Sequence, residues 1–218
     1  MAARPLLLIP TPQEADLLLQ RDVATPAVME LDGHSVTVAL AGFGPVAAAA
    51  LSSRWLAECR PSQVILLGVA GSYDTDAAPL GSAWKASSVL YYGLGVGEAD
   101  QHSTLPYPAV PAAVTGQDLG SELQLAPEAE QPVSFLTCAS ASLNSADTDR
   151  RRRAFPQAMA EDMESYSVAL AARLASVPCT IIRGISNRCG DRDVGRWQVQ
   201  PALQACRSIL QACLDVQP

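Results

Sequence analysis

Residues 36–59 read V-T-V-A-L-A-G-F-G-P-V-A-A-A-A-L-S-S-R-W-L-A-E-C. Residues 36–41 alternate in the manner of a strand, and the alanine-rich part after Pro45 has high helix propensity. The glycines at 42 and 44 break the chain between them, so the stretch predicts a strand, a tight turn and a helix. This unit decides the fold class, because its repetition builds a largely parallel sheet with helices on both faces.

The same order of apolar runs and helical patterns recurs along the chain. Helical spacing is found at 13–20, 163–175 and 201–214, and T-P-Q-E at 11–14 is a capping pattern that opens the first of these helices. We therefore expect an α/β fold with a mixed, largely parallel central sheet flanked by helices, in a single domain over residues 1–218. Residues 98–160 are interpreted as an excursion within that domain. The remaining predicted strands are 6–9, 64–67, 83–90, 133–140 and 180–182.

Composition excludes several classes of partner. The net charge of −7 disfavours binding to a nucleic acid polymer or an anionic membrane surface. The six cysteines contain no C-x-x-C pair, which is typical of reduced thiols in the cytosol. No apolar run approaches the roughly 18 to 20 residues that cross a bilayer, and residues 4–10 lack the features of a signal peptide. We expect a soluble, cytoplasmic protein.

Residues 42–47 match G-x-G-x-x-A between a strand and a helix, which has two interpretations. It could be a dinucleotide fingerprint, or a tight turn that lets the backbone approach something small. A dinucleotide site needs an acidic residue at the end of the next strand, where this chain has Gly68. Neither His34 nor His102 has other ligands at metal-binding spacing. We therefore predict no metal and no cofactor.

Carboxylates and amides near strand ends are the remaining candidates for chemistry. Glu14 could face the dipole of the first helix, and Glu161 and Asp162 could do the same for the helix predicted after them. Glu164 falls on the apolar face of that helix, which predicts a buried carboxylate in need of donors. The four arginines at 150–153 are interpreted as a solvent-exposed run.

Four segments together resemble the nucleoside phosphorylase and nucleosidase superfamily, and within it the 5′-methylthioadenosine/S-adenosylhomocysteine nucleosidases and the futalosine hydrolases. The resemblance implies that Glu14 activates the attacking water and that Glu164, with Met163, holds the ribose hydroxyls. It further implies that Gly68, Val69, Ala70 and Gly71 line the base and sugar, and that Asp162, Ser186 and Asn187 form the purine end. The segments are A-G-F-G-P-V-A-A-A (41–49), I-L-L-G-V-A-G-S (65–72), F-P-Q-A-M-A-E-D-M-E-S-Y-S-V-A-L (155–170) and I-I-R-G-I-S-N (181–187).

The sequence departs from its relatives at three places. Phosphorylases place an arginine and a serine where this chain has Leu66 and Val69, so water should replace phosphate as the nucleophile. Adenine-specific relatives have aspartic acid at the position of Asn187, whose amide suits a 6-oxopurine better. Ser142 and Leu143 stand where relatives place an aromatic that stacks on the base, so the stacking residue is open.

The resemblance thus implies hydrolysis of futalosine to hypoxanthine and dehypoxanthine futalosine in menaquinone biosynthesis, by a homodimer or higher homo-oligomer in which the partner helps to close the pocket. Two alternatives remain. One is a methylthioadenosine/S-adenosylhomocysteine or other purine nucleosidase, and the other is a nucleoside-binding protein without catalysis. Futalosine carries a carboxylated aromatic ketone at its 5′ end, for which Arg188, Arg192 and Arg196 are equal candidates, each also readable as a surface residue.

Overall fold

Strands and helices alternate along most of the described chain. The computed structural model describes residues 3–23, 26–96, 103–104, 110–116, 118–126 and 132–216. The strands are β1 (Leu6–Ile9), β2 (Ala27–Leu31), β3 (His34–Leu40), β4 (Val64–Ser72), β5 (Ala83–Lys85), β6 (Ser88–Tyr91), β7 (Gly95–Val96), β8 (Ser103–Thr104), β9 (Glu122–Gln124), β10 (Ser134–Thr137), β11 (Ala158–Asp162) and β12 (Cys179–Arg188). The helices are α1 (Pro12–Leu19), α2 (Pro45–Cys59), α3 (Ala112–Thr115), α4 (Ser145–Ala154), α5 (Ser165–Leu174) and α6 (Val199–Asp215), and a 3₁₀ turn covers Val194–Arg196.

Ten of these strands form one mixed sheet. Its order is β2-β3-β1-β4-β11-β10-β6-β9, and β12 pairs with both β4 and β5. One parallel block contains β3, β1, β4 and β12, and another contains β11, β10 and β6. The antiparallel pair β4–β11 joins the two blocks. The predicted α/β fold class is confirmed, and β9 and β10 show that residues from the 98–160 excursion belong to the main sheet.

Both faces of the central strands are buried, which explains their continuous apolar runs. Leu6, Leu8 and Leu66 pack in a cluster with residues of α2 and α5. Leu7 and Ile65 point to the opposite face and pack with residues of α1 and α6. The helices thus cover the sheet on two sides, as the strand–turn–helix pattern predicts.

Several predicted boundaries are wrong because glycine lies inside strands. The runs at 64–67 and 180–182 were expected to end at or before a glycine, yet β4 continues through Gly68 and Gly71 and β12 continues through Gly184. A Cβ atom on Gly184 would clash with the carbonyl of Ala202, so glycine here allows β12 to pack directly against α6.

The run at 83–90 is two strands, β5 and β6, and the helix predicted from 163 begins at Ser165.

Two further features bear on the composition. No helix in the described ranges is both long and apolar enough to cross a membrane. All six cysteines are free thiols. Burial raises the pKa of Cys179 and of Cys206 to about 12, which keeps both protonated and unreactive at neutral pH.

Candidate active site

A cavity of about 790 Å³ opens at the carboxyl ends of β1, β4, β11 and β12. Ligand sites of α/β sheets lie at this edge. Gly68 does not line the cavity, although it is directly beside two of the site's side chains, as described below. The residues proposed from the sequence that do line it are Glu14, Val69, Ala70, Gly71, Asp162, Met163, Glu164, Ser186 and Asn187.

Arg183 is the organising residue of the site, and the sequence analysis gave it no role. Its side chain is fully buried on β12. Nε donates to Asp162 Oδ2 at 2.8 Å, and Nη2 donates to Glu164 Oε2 at 3.0 Å. Nη1 is also buried and has no hydrogen-bond partner among the described residues. A charged residue inside an apolar strand pattern, between Ile182 and Gly184, was the available signal, because such a residue needs partners.

Gly68 makes room for Arg183 and Glu14. It lies opposite Arg183 in the register of β4 and β12. A Cβ atom on Gly68 would clash with Arg183 Nη1 and lie 2.9 Å from Glu14 Oε1. The missing side chain therefore lets the guanidinium of Arg183 and the carboxylate of Glu14 both approach the backbone at this position.

Glu14 is held by its own helix cap and by the neighbouring strand. Thr11 caps α1 by accepting from the Glu14 amide, and its hydroxyl donates to Glu14 Oε2 at 2.7 Å. The amide of Val69 donates to Oε1 at 3.0 Å. Glu14 does lie in the first turn of α1, but its buried carboxylate points at β4 rather than into solvent. The capping pattern thus also orients a carboxylate of the cavity wall.

Glu164 lies at the start of α5, as its N-cap, and is buried as the sequence predicted. Its Oε1 accepts from the amide of Gly44 at 3.0 Å, while Oε2 binds Arg183. Burial raises the pKa of Glu164 to about 7, although the Arg183 guanidinium opposes this shift. Carboxylates with both burial and a specific charge partner are typical of functional sites.

The turn at Gly42–Gly44 binds a carboxylate of the protein itself, that of Glu164. Gly42 and Gly44 have φ of +88° and +83°, which only glycine adopts easily. The Gly44 amide is committed to the Glu164 carboxylate. This contact fits the interpretation as a tight turn with close backbone approach. Among the described residues there is no group of three or more potential metal ligands, and His102 lies outside the described ranges.

Asp162 contributes more to holding the site together than its predicted contact with the purine suggests. Its carboxylate accepts from Thr137 Oγ1 at 2.7 Å, from both the amide and the hydroxyl of Ser165, and from Arg183. Glu161 and Asp162 both belong to β11, and of the two Asp162 does face the amino end of the following helix, since it accepts from the Ser165 amide. Successive strand residues point to opposite faces, so each of the two needs its own partner.

Arg151 is the partner of Glu161, and the interpretation of residues 150–153 as wholly solvent-exposed is wrong. Arg151 Nη1 donates to Glu161 Oε2 at 2.8 Å, and both side chains are buried. The Glu161 carboxylate also accepts from Tyr73 and from the amide and hydroxyl of Ser142. Arg152 and Arg153 are exposed. Because four arginines are consecutive, the sequence did not indicate that one of them, Arg151 on α4, faces inward.

The same network determines what Ser142 and Leu143 can do. Ser142 is fully buried with its hydroxyl bound to Glu161, and Leu143 is 67% exposed. Neither lines the cavity, whereas Ala141 does. Two aromatic side chains line the cavity, Phe43 and Trp197. These two are the available candidates for contacts with a flat ligand in the described part of the wall.

Asn187 is oriented by hydrogen bonds at both ends of its amide. Oδ1 accepts from the Ser186 hydroxyl at 2.8 Å, and Nδ2 donates to the carbonyl of Arg188 at 2.9 Å. An amide nitrogen carries two hydrogens, so one N–H remains to meet a ligand. Gly71 lies against this amide, because a Cβ there would be 3.2 Å from Nδ2. The site therefore presents a fixed, neutral donor.

We predict that Arg183→Met destabilises the protein by about 3–5 kcal/mol at pH 8, because two buried carboxylates lose their cation. Without the guanidinium, the pKa of Glu164 should rise further, so the native state binds protons that the unfolded state does not. Stability of the variant should then fall as pH rises from 5 to 8, and the deficit should be smaller at pH 5. Urea unfolding at the two pH values measures both effects.

Arg54→Met is the matched control, since Arg54 forms an exposed pair with Glu58. Such pairs contribute about 0–1 kcal/mol, and no pH dependence is expected. A deficit for Arg183→Met that is equal at pH 5 and pH 8 would contradict the assigned role.

Comparison with known proteins finds futalosine hydrolases and a further nucleosidase among the relatives of this chain. The chain is 32% identical to two futalosine hydrolases: over 179 residues to that of Acidothermus cellulolyticus (78% of this chain, 72% of that protein) and over 180 residues to that of Streptomyces coelicolor (76% and 72%). It is 26% identical over 167 residues to a 5′-methylthioadenosine/S-adenosylhomocysteine nucleosidase of Tolumonas auensis (74% and 72%).

The fold also matches solved structures. Futalosine hydrolase of Helicobacter pylori superposes with a TM-score of 0.75 at 16% identity, covering 98% of this chain and 97% of that one, which supports the fold alone. A model of the phosphorylase superfamily matches residues 7–215. That match spans the glycine turn, the buried arginine and all the carboxylates described above, and this chain belongs to the phosphorylase superfamily.

Proposed function

We propose that this protein hydrolyses the N-ribosidic bond of futalosine, releasing hypoxanthine and dehypoxanthine futalosine. The observation that carries the proposal is the neutral, oriented amide of Asn187 at one end of a cavity that also holds two carboxylates, Glu14 and Glu164. The curated relatives at 32% identity are futalosine hydrolases, which supports the same substrate.

The base end of the cavity suits a 6-oxopurine. The free N–H of Asn187 donates to N7 or O6 of hypoxanthine, both of which are acceptors. Adenine presents an amino group in place of O6, so the same amide would set donor against donor. Such a mismatch costs about 1–3 kcal/mol in a buried site. Ser186 maintains this selectivity, because its hydroxyl holds Oδ1 and so keeps Nδ2 facing the ligand.

The ribose and the water are held by the carboxylates. Each oxygen of Glu164 already accepts one hydrogen bond and retains a lone pair for the 2′- or 3′-hydroxyl. These contacts strengthen as positive charge develops on the sugar in the transition state. Glu14 lies in the wall of the same cavity, where its carboxylate accepts a hydrogen bond from the attacking water. Glu14 then removes the proton as the water attacks.

Charge explains why the nucleophile is water and not phosphate. Leu66 is fully buried in the core, and Val69 presents an apolar side chain to the cavity. Arg183, the buried cation beside these carboxylates, already serves Asp162 and Glu164, with Glu14 close to it. Three carboxylates around one guanidinium leave a local excess of negative charge that repels a phosphate dianion. A neutral water molecule meets no such barrier.

The principal alternative is hydrolysis of methylthioadenosine or S-adenosylhomocysteine. The relative of Tolumonas auensis favours this alternative, but at lower identity. The amide at position 187 argues against it, because the leaving adenine would lack both a proton donor and an acceptor for its amino group.

We further propose a place in menaquinone biosynthesis, a cytoplasmic location and a homo-oligomer. The last is supported by an apolar groove between α2 and α5, of about 560 Å³, lined by residues including Val46, Tyr91 and Tyr166. Val46 is 83% and Phe43 68% exposed, and Phe43 also lines the active-site cavity. A second copy seated on this groove would bury both side chains and help to close the cavity. Light scattering measures the mass in solution.

The test of the function is purine release from futalosine, inosine, aminodeoxyfutalosine and methylthioadenosine, each with and without phosphate, followed by chromatography. We expect phosphate-independent release of hypoxanthine from futalosine. Glu14→Gln should lower this rate about 10²- to 10⁴-fold, since it removes the general base. Adenine as the main product, or a requirement for phosphate, would contradict the proposal.

The role of Asn187 is tested by Asn187→Asp. The carboxyl group restores an acceptor for the 6-amino group and a proton donor for N7, so hydrolysis of aminodeoxyfutalosine relative to futalosine should rise about 10- to 100-fold. Ser186→Ala should also relax the preference, because the amide can then rotate. The ratio of the two kcat/KM values measures both. An unchanged ratio in Asn187→Asp would show that this residue does not select the base.

A further inference from the structure

We propose that Arg192 binds a carboxylate on the 5′-substituent of the nucleoside and thereby selects substrates that carry an anionic group at that end. This inference rests on the proposed nucleosidase function and assigns a role to one of the three arginines that the sequence left equivalent. Of these, Arg192 alone lines the cavity in the described structure, whereas Arg188 and Arg196 do not.

The charges of the cavity wall single out Arg192. Among the described residues that line the cavity, it is the only cation, beside five carboxylates. Three of those, Glu161, Asp162 and Glu164, are paired from behind with Arg151 and Arg183, neither of which is in the wall. An anionic group on a ligand therefore has one place in the described wall where it meets a positive charge.

The loop that carries Arg192 satisfies its other charges internally. Arg196 binds Asp191 at 2.9 Å and Asp193 at 3.2 Å. Asp191 and Asp193 also accept from backbone amides of the same loop. No hydrogen bond or ion pair of Arg192 is found within the described residues, and its guanidinium lies 5.1 Å from the centre of the Trp197 ring. The two acidic side chains of the loop are thus bound by Arg196 and by backbone amides, and the guanidinium of Arg192 is left available for a ligand.

Trp197 gives Arg192 a defined position. The indole Nε1 donates to the carbonyl of Asp191 at 3.2 Å, and the next amide, of Gln198, donates to the carbonyl of Ser186. The ring is therefore tied to the loop and to the end of β12. A guanidinium stacked on such a ring keeps its edge N–H groups free for bidentate contact with a carboxylate.

The wall around Arg192 suits an aromatic group. The proposed purine and ribose contacts use residues of β4, β11, β12 and the start of α5. Besides Thr11, Gln13 and Asp16, the remaining wall includes the apolar side chains of Leu17, Phe43, Val194, Trp197 and Val199. These apolar surfaces with one arginine match a substituent that has a flat apolar body and a terminal carboxylate, such as the carboxylated aromatic ketone of futalosine. A hydroxyl or a methylthio group would not use the charge.

The experiment compares two pairs of nucleosides. Futalosine and inosine share hypoxanthine, aminodeoxyfutalosine and methylthioadenosine share adenine, and only the first member of each pair carries the carboxylate. For the base that the enzyme accepts, the ratio of kcat/KM for the carboxylated member to that for the neutral member is measured in wild type, Arg192→Gln and Arg196→Gln. The choice of base tests the proposed function, and the ratio within a pair tests Arg192.

We expect the wild type to prefer the carboxylated member, and Arg192→Gln to lower the ratio about 10- to 100-fold, as for loss of a charge-assisted hydrogen bond. Arg196→Gln, on the same loop but outside the cavity, should leave the ratio unchanged. Added salt should lower the ratio in wild type more than in Arg192→Gln, because Arg192 is solvent-accessible. An unchanged ratio in Arg192→Gln, an equal fall in Arg196→Gln, or a wild type that prefers the neutral member would overturn the proposal.

Discussion

The site depends on one fully buried guanidinium, that of Arg183. Removing a guanidinium and two carboxylates from water costs several kcal/mol per ion, and their mutual attraction repays this only when geometry and hydrogen bonding are very good. The surrounding residues supply that geometry. Gly68 leaves space for Nη1, Gly44 and Thr137 donate to the two carboxylates, and Ser165 contacts Asp162 and Arg183 together. Replacing a buried ionic cluster by apolar residues of similar volume is often neutral or stabilising, so stability alone does not explain this cluster, and its contacts with the cavity wall do.

The fold class was predictable because its signal is local and repeated. Apolar runs of strand length, such as β1, alternate with helical patterns along the chain. The errors occurred where tertiary packing overrides a local rule. Glycine usually interrupts a strand, yet in β4 and β12 it permits close approach of Arg183 and of α6. The position of a boundary then depends on a partner distant in sequence, which a single sequence does not reveal.

Only part of the candidate site was predicted, because only some of its residues give a local signal in the sequence. Carboxylates and amides after strands are visible in sequence, and Glu14, Glu164 and Asn187 do line one cavity. Their counter-ions were missed. Arg151 lies in a run of four arginines of which one faces inward, and Arg183 lies between Ile182 and Gly184 in the apolar part of a strand. Glu161 and Asp162 point to opposite faces of β11, so they pair with different arginines, Arg151 and Arg183. These partners lie 10 and 21 residues away on other elements, and only the structure shows the pairing.

A neutral residue at position 187 links the choice of base to the mechanism. Adenine departs most readily when N7 is protonated, which requires an acid near that atom. A 6-oxopurine can carry the developing negative charge on O6 and N7, where hydrogen-bond donors stabilise it without proton transfer. The amide of Asn187, fixed by Ser186, is such a donor and cannot act as an acid. In the proposed mechanism catalysis then comes chiefly from the sugar side, where Glu164 would stabilise the cationic ribose and Glu14 would activate the water. The buried charges around Arg183 thus lie on the sugar side of the site, whereas the base side presents the neutral amide of Asn187.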